Sequence, residues 1–171
     1  MIYIEELKRE TSLKEQSEIS RKLLLSGLQN KYGFSELPEI SVGQYGKPYF
    51  ASQNNIHFNI SHCKKAVACI ISDNPVGIDV ECINPFDKDL ALYISSPQEM
   101  DCILNHSDPA LAFTILWTRK ESYYKLTGKG LDDRTSIQNI LINNPSSFQT
   151  IINHAEGYVI TSCHHSLHLH P

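Results

Sequence analysis

Residues 57–83 read HFNISHCKKAVACIISDNPVGIDVECI, and this stretch decides the predicted fold. Residues 66–72 form an apolar run rich in strand-forming side chains, and the Asp73-Asn74-Pro75 tripeptide that follows them favours a turn. Residues 76–82 then alternate between apolar and polar side chains, which is typical of a strand with one buried face. The stretch therefore predicts two buried strands joined by a turn.

Two helices are predicted on either side of these strands. Thr11 or Ser12 can cap a helix that runs to about Tyr32, and Glu15 stands at the capping-box spacing from Ser12. Residues 109–127 have a strongly helical pattern. A glycine follows each segment directly, and glycine commonly ends a helix because it adopts the left-handed conformation without strain.

Shorter elements complete the predicted order. Residues 1–7 alternate as a first strand, and Ser95 or Ser96 can cap a short helix. Three later apolar segments predict a small antiparallel sheet: residues 137–142, 150–152 and 158–163. The sequence therefore predicts an α+β protein with two pseudo-symmetric lobes, each a helix packed on a small antiparallel sheet, divided as residues 1–74 and 75–171.

Composition and charge restrict the classes of function. The 171 residues are 41% hydrophobic and 20% charged, as in globular proteins, and the net charge is −4. The first 75 residues carry +1 and the remainder −5, with no basic stripe, so we expect no nucleic-acid partner. No apolar run approaches the ~20 residues that span a bilayer, and the start lacks the pattern of a signal peptide. We expect a cytoplasmic protein with reduced cysteines and no membrane partner.

Acidic side chains on the second buried strand are candidates for chemistry. Asp79 and Glu81 are two residues apart, so both carboxylates project from the same face of the strand. They stay ionised most readily if they share a hard cation or face water. On the long helix, Trp117, Glu121 and Lys125 are spaced by four residues and form one stripe. If this helix packs across the strand, Glu121 becomes a third ligand for a cation.

Lysines around this predicted site favour phosphate chemistry. Lys120, Lys125 and Lys129 would surround an anion bound beside the metal, because lysines neutralise charge on phosphate oxygens. The alternatives are an exposed polar strand face and a surface ion pair on the helix. In FNISHC, Ser61 and His62 are neighbours on a strand and face opposite sides, so a Ser-His hydrolase is disfavoured. At a loop edge, both side chains can instead donate hydrogen bonds to phosphate oxygens. Residues 43–50, GQYGKPYF, are predicted to form a loop because their glycines and Pro48 prevent regular structure, and Lys47 lies on this stiffened loop.

Four blocks occur in an order and spacing that are specific together: GKPYF at 46–50, FNISHC at 58–63, PVGIDVE at 75–81 and WTRKESYYKLTGKGL at 117–131. With them, the chain resembles the 4'-phosphopantetheinyl transferase superfamily, particularly its larger, two-lobed, surfactin-synthetase-activating type. The resemblance implies transfer of the phosphopantetheine arm of coenzyme A to a serine of an acyl or peptidyl carrier protein, with release of adenosine 3',5'-bisphosphate. It also implies a Mg²⁺ cofactor and coenzyme A as co-substrate.

The resemblance assigns roles to residues by position. Asp79, Glu81 and Glu121 match the Mg²⁺ carboxylates, and Glu121 is also the candidate base for the serine hydroxyl. Lys125 matches the lysine that contacts the coenzyme A phosphates and assists the leaving group. The other matches to cofactor-binding positions are Lys47, Ser61, His62 and, more generically, Arg21. One departure is Cys63, which stands where the family often has serine or threonine.

Two other functions remain open at this point. A catalytically weak member would bind coenzyme A or a partner without turnover, and a metal-dependent phosphoesterase would use the same carboxylates. The two-lobed resemblance implies that one chain completes the site, so we expect a monomer. The tail residues Cys163, His164, His165, His168 and His170 do not favour a structural metal site, since neighbouring side chains alternate faces and no second ligand cluster follows.

Overall fold

The computed structural model describes residues 1–128, 134–143 and 146–165. Its strands are β1 (Ile2–Glu6), β2 (Ile40–Val42), β3 (Pro48–Phe50), β4 (His57–His62), β5 (Ala66–Ser72), β6 (Val76–Cys82), β7 (Ser146–Asn153) and β8 (Tyr158–His165). Its helices are α1 (Leu13–Tyr32), α2 (Lys88–Ile94), α3 (Pro97–Leu104), α4 (Pro109–Thr127) and α5 (Arg134–Asn143). Helices and small antiparallel sheets confirm the predicted α+β class.

The strands form two three-stranded sheets and a hairpin, all antiparallel. The amino-terminal sheet has the order β1-β5-β4, the carboxy-terminal sheet has the order β6-β8-β7, and β2 pairs with β3. In each three-stranded sheet the last strand in sequence lies at the centre. No described strand pairs across the turn at 73–75, so β5 and β6 do not form a hairpin. The division into lobes at residues 74 and 75 stays a prediction that this correspondence supports.

The elements stack in four layers. One apolar cluster joins α1 to the outer face of the amino-terminal sheet, with Leu24 and Leu28 against Phe58 and Ile71. A second cluster fills the space between the two sheets: Ala66, Ala68, Ile70, Val76, Ile78, Val80, Tyr158 and Ile160. On the far face of the carboxy-terminal sheet, α4 packs against β6 and β8. Because the apolar side chains of β6 point into the space between the sheets, its acidic side chains lie on the opposite face of the strand, beneath α4.

A glycine permits the close approach of α4 to β6. A Cβ atom at Gly77 would overlap the carbonyl oxygen of Ser122 and lie 2.5 Å from the amide nitrogen of Leu126. Both atoms belong to the backbone of α4, so neither can move aside as the end of a flexible side chain could. A strand glycine of this kind marks a place where another backbone comes close.

The two sheets are joined along one edge through side chains. The Asn59 Oδ1 atom accepts a hydrogen bond of 2.9 Å from the Ile78 amide, and the Ser61 Oγ atom accepts one of 3.3 Å from the Val80 amide. We call this contact the β4–β6 joint. Because edge-strand amides need partners when they are buried, these two polar side chains of β4 take the place of a neighbouring strand.

The helix ends follow the sequence signals closely. Ser12 and Glu15 form a complete capping box at the start of α1, and Ser96 and Glu99 form another at the start of α3. Gly33 adopts a left-handed conformation with φ of 74° after α1, and the glycine after α4 does likewise. The bounds predicted for α1 and α4 are therefore confirmed.

Two predictions about secondary structure are wrong. Residues 137–142 lie within α5 rather than in a strand, because the apolar side chains Ile137, Ile140 and Leu141 follow helical spacing and pack toward α4. The segment before Phe50 is not wholly loop, since β3 pairs with β2; proline is tolerated at the first position of such an edge strand. Lys129, His168 and His170, which figure in the predicted sites, lie outside the described residues.

Candidate active site

Asp79, Lys125 and Ser61 form the centre of the candidate site, where β6, α4 and β4 meet. The Lys125 ammonium lies 2.6 Å from Asp79 Oδ1, and it also donates a hydrogen bond of 2.9 Å to Ser61 Oγ. The Ser61 hydroxyl donates to the same carboxylate oxygen at 2.9 Å. Asp79 is only 2% exposed, so these partners hold a nearly buried carboxylate.

The second carboxylate oxygen of Asp79 is unsatisfied. Asp79 Oδ2 is buried and has no hydrogen-bond partner among the residues that the structure describes. A buried carboxylate oxygen without a partner costs free energy, because it has lost its contacts with water. Asp79 Oδ2 is therefore suited to bind a cation or to accept a hydrogen bond from a ligand.

Glu81 and Glu121 lie close enough to Asp79 to feel its charge. Burial, followed by repulsion from Asp79, raises the pKa of Glu81 to about 7, although a hydrogen bond from Trp117 and the charge of Lys125 oppose this. Burial and then Asp79 also raise the pKa of Glu121, and Lys125 opposes the rise. Two carboxyl groups whose pKa values are raised by burial and by a neighbouring carboxylate are typical of a functional site.

The three carboxylates are nevertheless not gathered as a ready metal site. Within residues 1–128, 134–143 and 146–165, no three His, Cys, Asp or Glu side chains are close enough together to hold a metal ion. The positive charge beside Asp79 comes from Lys125 instead. Joint binding of a cation by Asp79, Glu81 and Glu121 therefore stays a prediction.

Loss of the Glu81 charge should change the pH dependence of stability in metal-free protein. The pKa of Glu81 is raised to about 7, so folding favours its protonated form. This contribution is complete below the ordinary carboxyl pKa of about 4.5 and is lost as the pH rises through about 7. With EDTA present, we expect Glu81→Gln to melt higher than the wild type at pH 8 and about equally at pH 5. An equal difference at both pH values, measured by calorimetry, would contradict this assignment.

An open cleft of about 350 Å³ lies beside these groups. Its walls include Glu121 and Lys125 from α4 and the GKP segment with Tyr45 and Lys47. The cleft therefore brings the predicted base, the predicted leaving-group lysine and the predicted cofactor-binding loop to one space.

Lys47 connects the hairpin to the carboxy-terminal lobe. Its ammonium donates hydrogen bonds to the carbonyl oxygens of Val76 at 3.1 Å and Leu126 at 2.8 Å. Burial lowers the pKa of Lys47 to about 8. Its visible role is therefore to hold the GKP segment against the ends of β6 and α4, and its contact with a cofactor stays a prediction.

His62 and Arg21 lie on the other side of the amino-terminal sheet from the carboxylates. Phe58 and Ile60 of β4 pack toward α1, and His62 follows them on the same face by the alternation of a strand. The His62 side chain is exposed, as is Arg21 on α1. The structure thus joins Ser61 to Asp79 but places His62 and Arg21 apart from the carboxylates, and their contacts with coenzyme A phosphates stay a prediction.

Lys120 does not face the site, which corrects the prediction that it would surround a bound anion. Its side chain is fully buried on the opposite side of α4. The ammonium lies 2.8 Å from Glu99 and donates to the carbonyl oxygens of Ile94 at 2.9 Å and Ile137 at 2.9 Å. Consecutive helical residues point about 100° apart, so Glu121 can reach the cleft while Lys120 ties α4 to α2, α3 and α5.

Replacing Lys120 should destabilise the fold. We expect Lys120→Met to lower the free energy of unfolding by about 3 kcal/mol, because the carboxylate of Glu99 and three carbonyl oxygens lose a buried cation. Urea denaturation followed by circular dichroism measures this. Lys22→Met, at an exposed position of α1, is the matched control and should change stability little. Equal effects of the two substitutions would contradict the role of Lys120.

Sequence reasoning missed two contributors to the site. The stripe of Trp117, Glu121 and Lys125 gives Trp117 no role of its own, yet its indole interacts with Glu81 and favours the charged form of that carboxyl group by lowering its pKa. Asn59 received no role, but it holds β6 through the Ile78 amide. No local signal identifies these contacts, although both residues lie within the sequence blocks of the resemblance.

Among the described residues, no helix is long and apolar enough to cross a membrane.

The sequence profile of the 4'-phosphopantetheinyl transferase superfamily matches residues 75–169, which include β6, α4 and the acidic groups of the site. The chain belongs to the 4'-phosphopantetheinyl transferase superfamily. It is 41% identical over 92 residues to a 4'-phosphopantetheinyl transferase of Bacillus subtilis, an alignment covering 53% of this chain and 41% of that protein.

Other relatives span distant organisms. The chain is 38% identical over 101 residues to the 4'-phosphopantetheinyl transferase AcpT of Escherichia coli strain K12, covering 55% of this chain and 51% of AcpT. It is 34% identical over 115 residues to the L-aminoadipate-semialdehyde dehydrogenase-phosphopantetheinyl transferase of Saccharomyces cerevisiae, covering 61% of this chain and 42% of the yeast protein. The matched segment thus spans between two fifths and about half the length of these relatives.

Proposed function

We propose that this chain is a Mg²⁺-dependent transferase that moves the 4'-phosphopantetheine group of coenzyme A to a serine hydroxyl of an acyl or peptidyl carrier protein, releasing adenosine 3',5'-bisphosphate. The observation that carries the proposal is a cleft lined by Glu121 and Lys125, with Lys125 paired to buried Asp79, in a chain of this superfamily. Relatives named as 4'-phosphopantetheinyl transferases support the same activity.

The acidic groups fit a divalent cation that prefers oxygen ligands. Asp79 offers a buried oxygen that has no partner among the described residues, and burial together with repulsion from Asp79 raises the pKa of Glu81 to about 7. A cation held by Asp79, Glu81 and Glu121 would relieve both costs. When bound, Mg²⁺ would screen the pyrophosphate oxygens and stabilise the negative charge that grows on the leaving group.

The chain's own residues supply the remaining chemistry. Glu121 lines the cleft, and its raised pKa gives its carboxylate more affinity for a proton than an ordinary glutamate has. It is therefore the candidate base that accepts the proton of the carrier serine. Lys125 would offset charge on the departing bisphosphate, and the Ser61 hydroxyl fixes the position of its ammonium through a hydrogen bond of 2.9 Å.

Both predicted lobes contribute to this centre within one chain. Ser61 belongs to β4, whereas Asp79 and Lys125 belong to β6 and α4. The described geometry needs no second copy to bring these groups together. We accordingly propose that the protein acts as a monomer in the cytoplasm, the compartment where coenzyme A and apo carrier proteins would be available to it.

Mass spectrometry of apo carrier proteins tests the proposal. A panel from fatty-acid, polyketide and peptide synthesis is incubated with the protein, coenzyme A and Mg²⁺, and matched samples contain EDTA. We expect at least one carrier to gain the mass of phosphopantetheine on its serine, and the gain to disappear with EDTA. Unchanged mass across the whole panel would overturn the proposal.

The same samples distinguish two other functions. A member that only binds coenzyme A would give a calorimetric binding signal without any change in carrier mass. A metal-dependent phosphoesterase would release free phosphopantetheine from coenzyme A when no carrier is present. Neither alternative is favoured by an observation of its own, and the candidate base Glu121 and the leaving-group lysine Lys125 line the same cleft.

A further inference from the structure

Two cysteines occupy the outer end of the β4–β6 joint. Two hydrogen bonds set the register of this joint, and each joins residues 19 apart in sequence: Asn59 to Ile78 and Ser61 to Val80. Successive bonds advance by two residues on both strands, so the strands run in the same direction. Continuing this register by two residues places Cys63 opposite Cys82. The register therefore brings two thiols together at the next step of the joint.

The contacts of the sulfur atoms agree with the register. Burial raises the pKa of the Cys63 thiol to about 12, and the neighbouring Cys82 side chain adds to the rise, although the Lys65 amide opposes it. That amide donates to the Cys63 sulfur at 3.4 Å, and the Cys63 amide donates to the Ala66 carbonyl oxygen at 2.9 Å. The turn after β4 thus holds the first sulfur in place, and β6 holds the second through its pairing with β8.

The other cysteines have different surroundings. Cys69 and Cys163 are buried in the described sheets, and Cys102 is exposed on α3. Cys63 and Cys82 are each partly accessible, which allows a small reagent to reach one sulfur while the other lies beside it. The register places these two partly accessible thiols side by side, which is the arrangement that thiol–disulfide exchange requires.

We propose that Cys63 and Cys82 are a modification site, at which a low-molecular-weight disulfide such as glutathione disulfide oxidises them to a reversible intramolecular disulfide. Cys82 gives up its proton and attacks a sulfur of glutathione disulfide, which forms a mixed disulfide and releases one glutathione, because burial disfavours the thiolate of Cys63. The other cysteine gives its proton to water and attacks the mixed disulfide at the protein sulfur. The second glutathione leaves and takes up a proton. Two protein thiols are thereby oxidised, and one glutathione disulfide is reduced to two thiols.

The bond would tie together the strands that carry the candidate site. Cys63 follows Ser61 by two residues at the end of β4, and Cys82 is the last residue of β6, directly after Glu81. A disulfide there crosslinks the two sheets at the open end of their joint. In a reducing compartment the two thiols form again, so the crosslink would depend on the local redox potential and would not be a permanent part of the fold.

Peptide mapping tests this proposal independently of transfer activity. The folded chain is equilibrated with mixtures of reduced and oxidised glutathione, quenched with N-ethylmaleimide and digested. We expect a Cys63–Cys82 crosslinked peptide in most molecules under oxidising mixtures, and its disappearance after dithiothreitol. The crosslink should persist in Cys102→Ser, because that cysteine lies elsewhere.

Single replacements of the paired cysteines sharpen the result. Cys63→Ser should leave Cys82 as a stable mixed disulfide with glutathione, and Cys82→Ser should do the same at Cys63, since no resolving thiol remains. Retained circular dichroism of both variants shows that they are folded. The proposal is overturned if the wild type gives separate glutathione adducts or maleimide adducts at both cysteines across all mixtures, or if Cys82 pairs with a different cysteine.

Discussion

Glu121→Gln is expected to lower the rate of phosphopantetheine transfer by a factor on the order of 10³ or more. Glutamine keeps the shape of the side chain at the cleft, but it carries no charge to hold a cation and does not accept the serine proton. Because burial and Asp79 raise the pKa of Glu121, the neutral side chain also removes a repulsion from the metal-free site. The variant should therefore melt at the same temperature as the wild type or higher, while its activity is lost.

The assay for this prediction is single-turnover transfer to a carrier that the wild type modifies. Glu18→Gln is the matched control, because Glu18 is an exposed helical glutamate of α1 without a role in the cleft. It should retain the wild-type rate. Transfer by Glu121→Gln at the native rate would remove Glu121 from the site, and loss of its thermal transition would assign the residue to folding instead.

Gly77→Ala is expected to destabilise the protein by about 4 kcal/mol, a large share of the stability of an ordinary domain. The added methyl group would overlap the Ser122 carbonyl oxygen and come within 2.5 Å of the Leu126 amide nitrogen. Both are backbone atoms, so α4 as a whole must move away from β6. That movement would separate Lys125 from Asp79 and dismantle the candidate site together with the packing.

Other glycines provide a graded comparison, measured by chemical denaturation. At Gly27 a Cβ atom would meet only the side chains of Ile71 and Tyr3, which can shift, so Gly27→Ala should be milder. At Gly43 the nearest atom is the Lys47 carbonyl oxygen at 3.4 Å, which is close to ordinary contact, so Gly43→Ala should have the smallest effect. Equal effects at the three positions would show that helix–strand contact at Gly77 is not as close as described.

Local sequence rules predicted the elements whose signals are local. The capping box of Ser12 and Glu15 and the left-handed Gly33 bound α1 as expected, since both act within a few residues of backbone. Alternation along β6 correctly placed Asp79 and Glu81 on one face, away from the core between the sheets. The long helix was predicted across its full length for the same reason.

Features that depend on tertiary neighbours were not predictable in this way. Isoleucines favour strands, so α5 was misassigned even though its apolar spacing fits a helix. Lys120 and Lys125 both looked like phosphate ligands, but only the packing of α2, α3 and α5 buries the first and leaves the second at Asp79. Local rules contain no signal for the indole contact with Glu81 or for the register that aligns Cys63 with Cys82, because each joins residues distant in sequence.

The central position of β8 has a consequence for synthesis of the chain on the ribosome. The amino-terminal sheet has all its strands once residue 72 has emerged, so that half can close early. β6 is made next, but β8, its only described partner within a sheet, ends at His165. The edge of β6, the strand that carries Asp79 and Glu81, therefore stays unpaired while more than 80 further residues are added. A chain whose translation stalls before β8 would thus be only half folded, and the edge of its acidic strand could pair with other chains. A chaperone that shields exposed strand edges would be needed most during that interval.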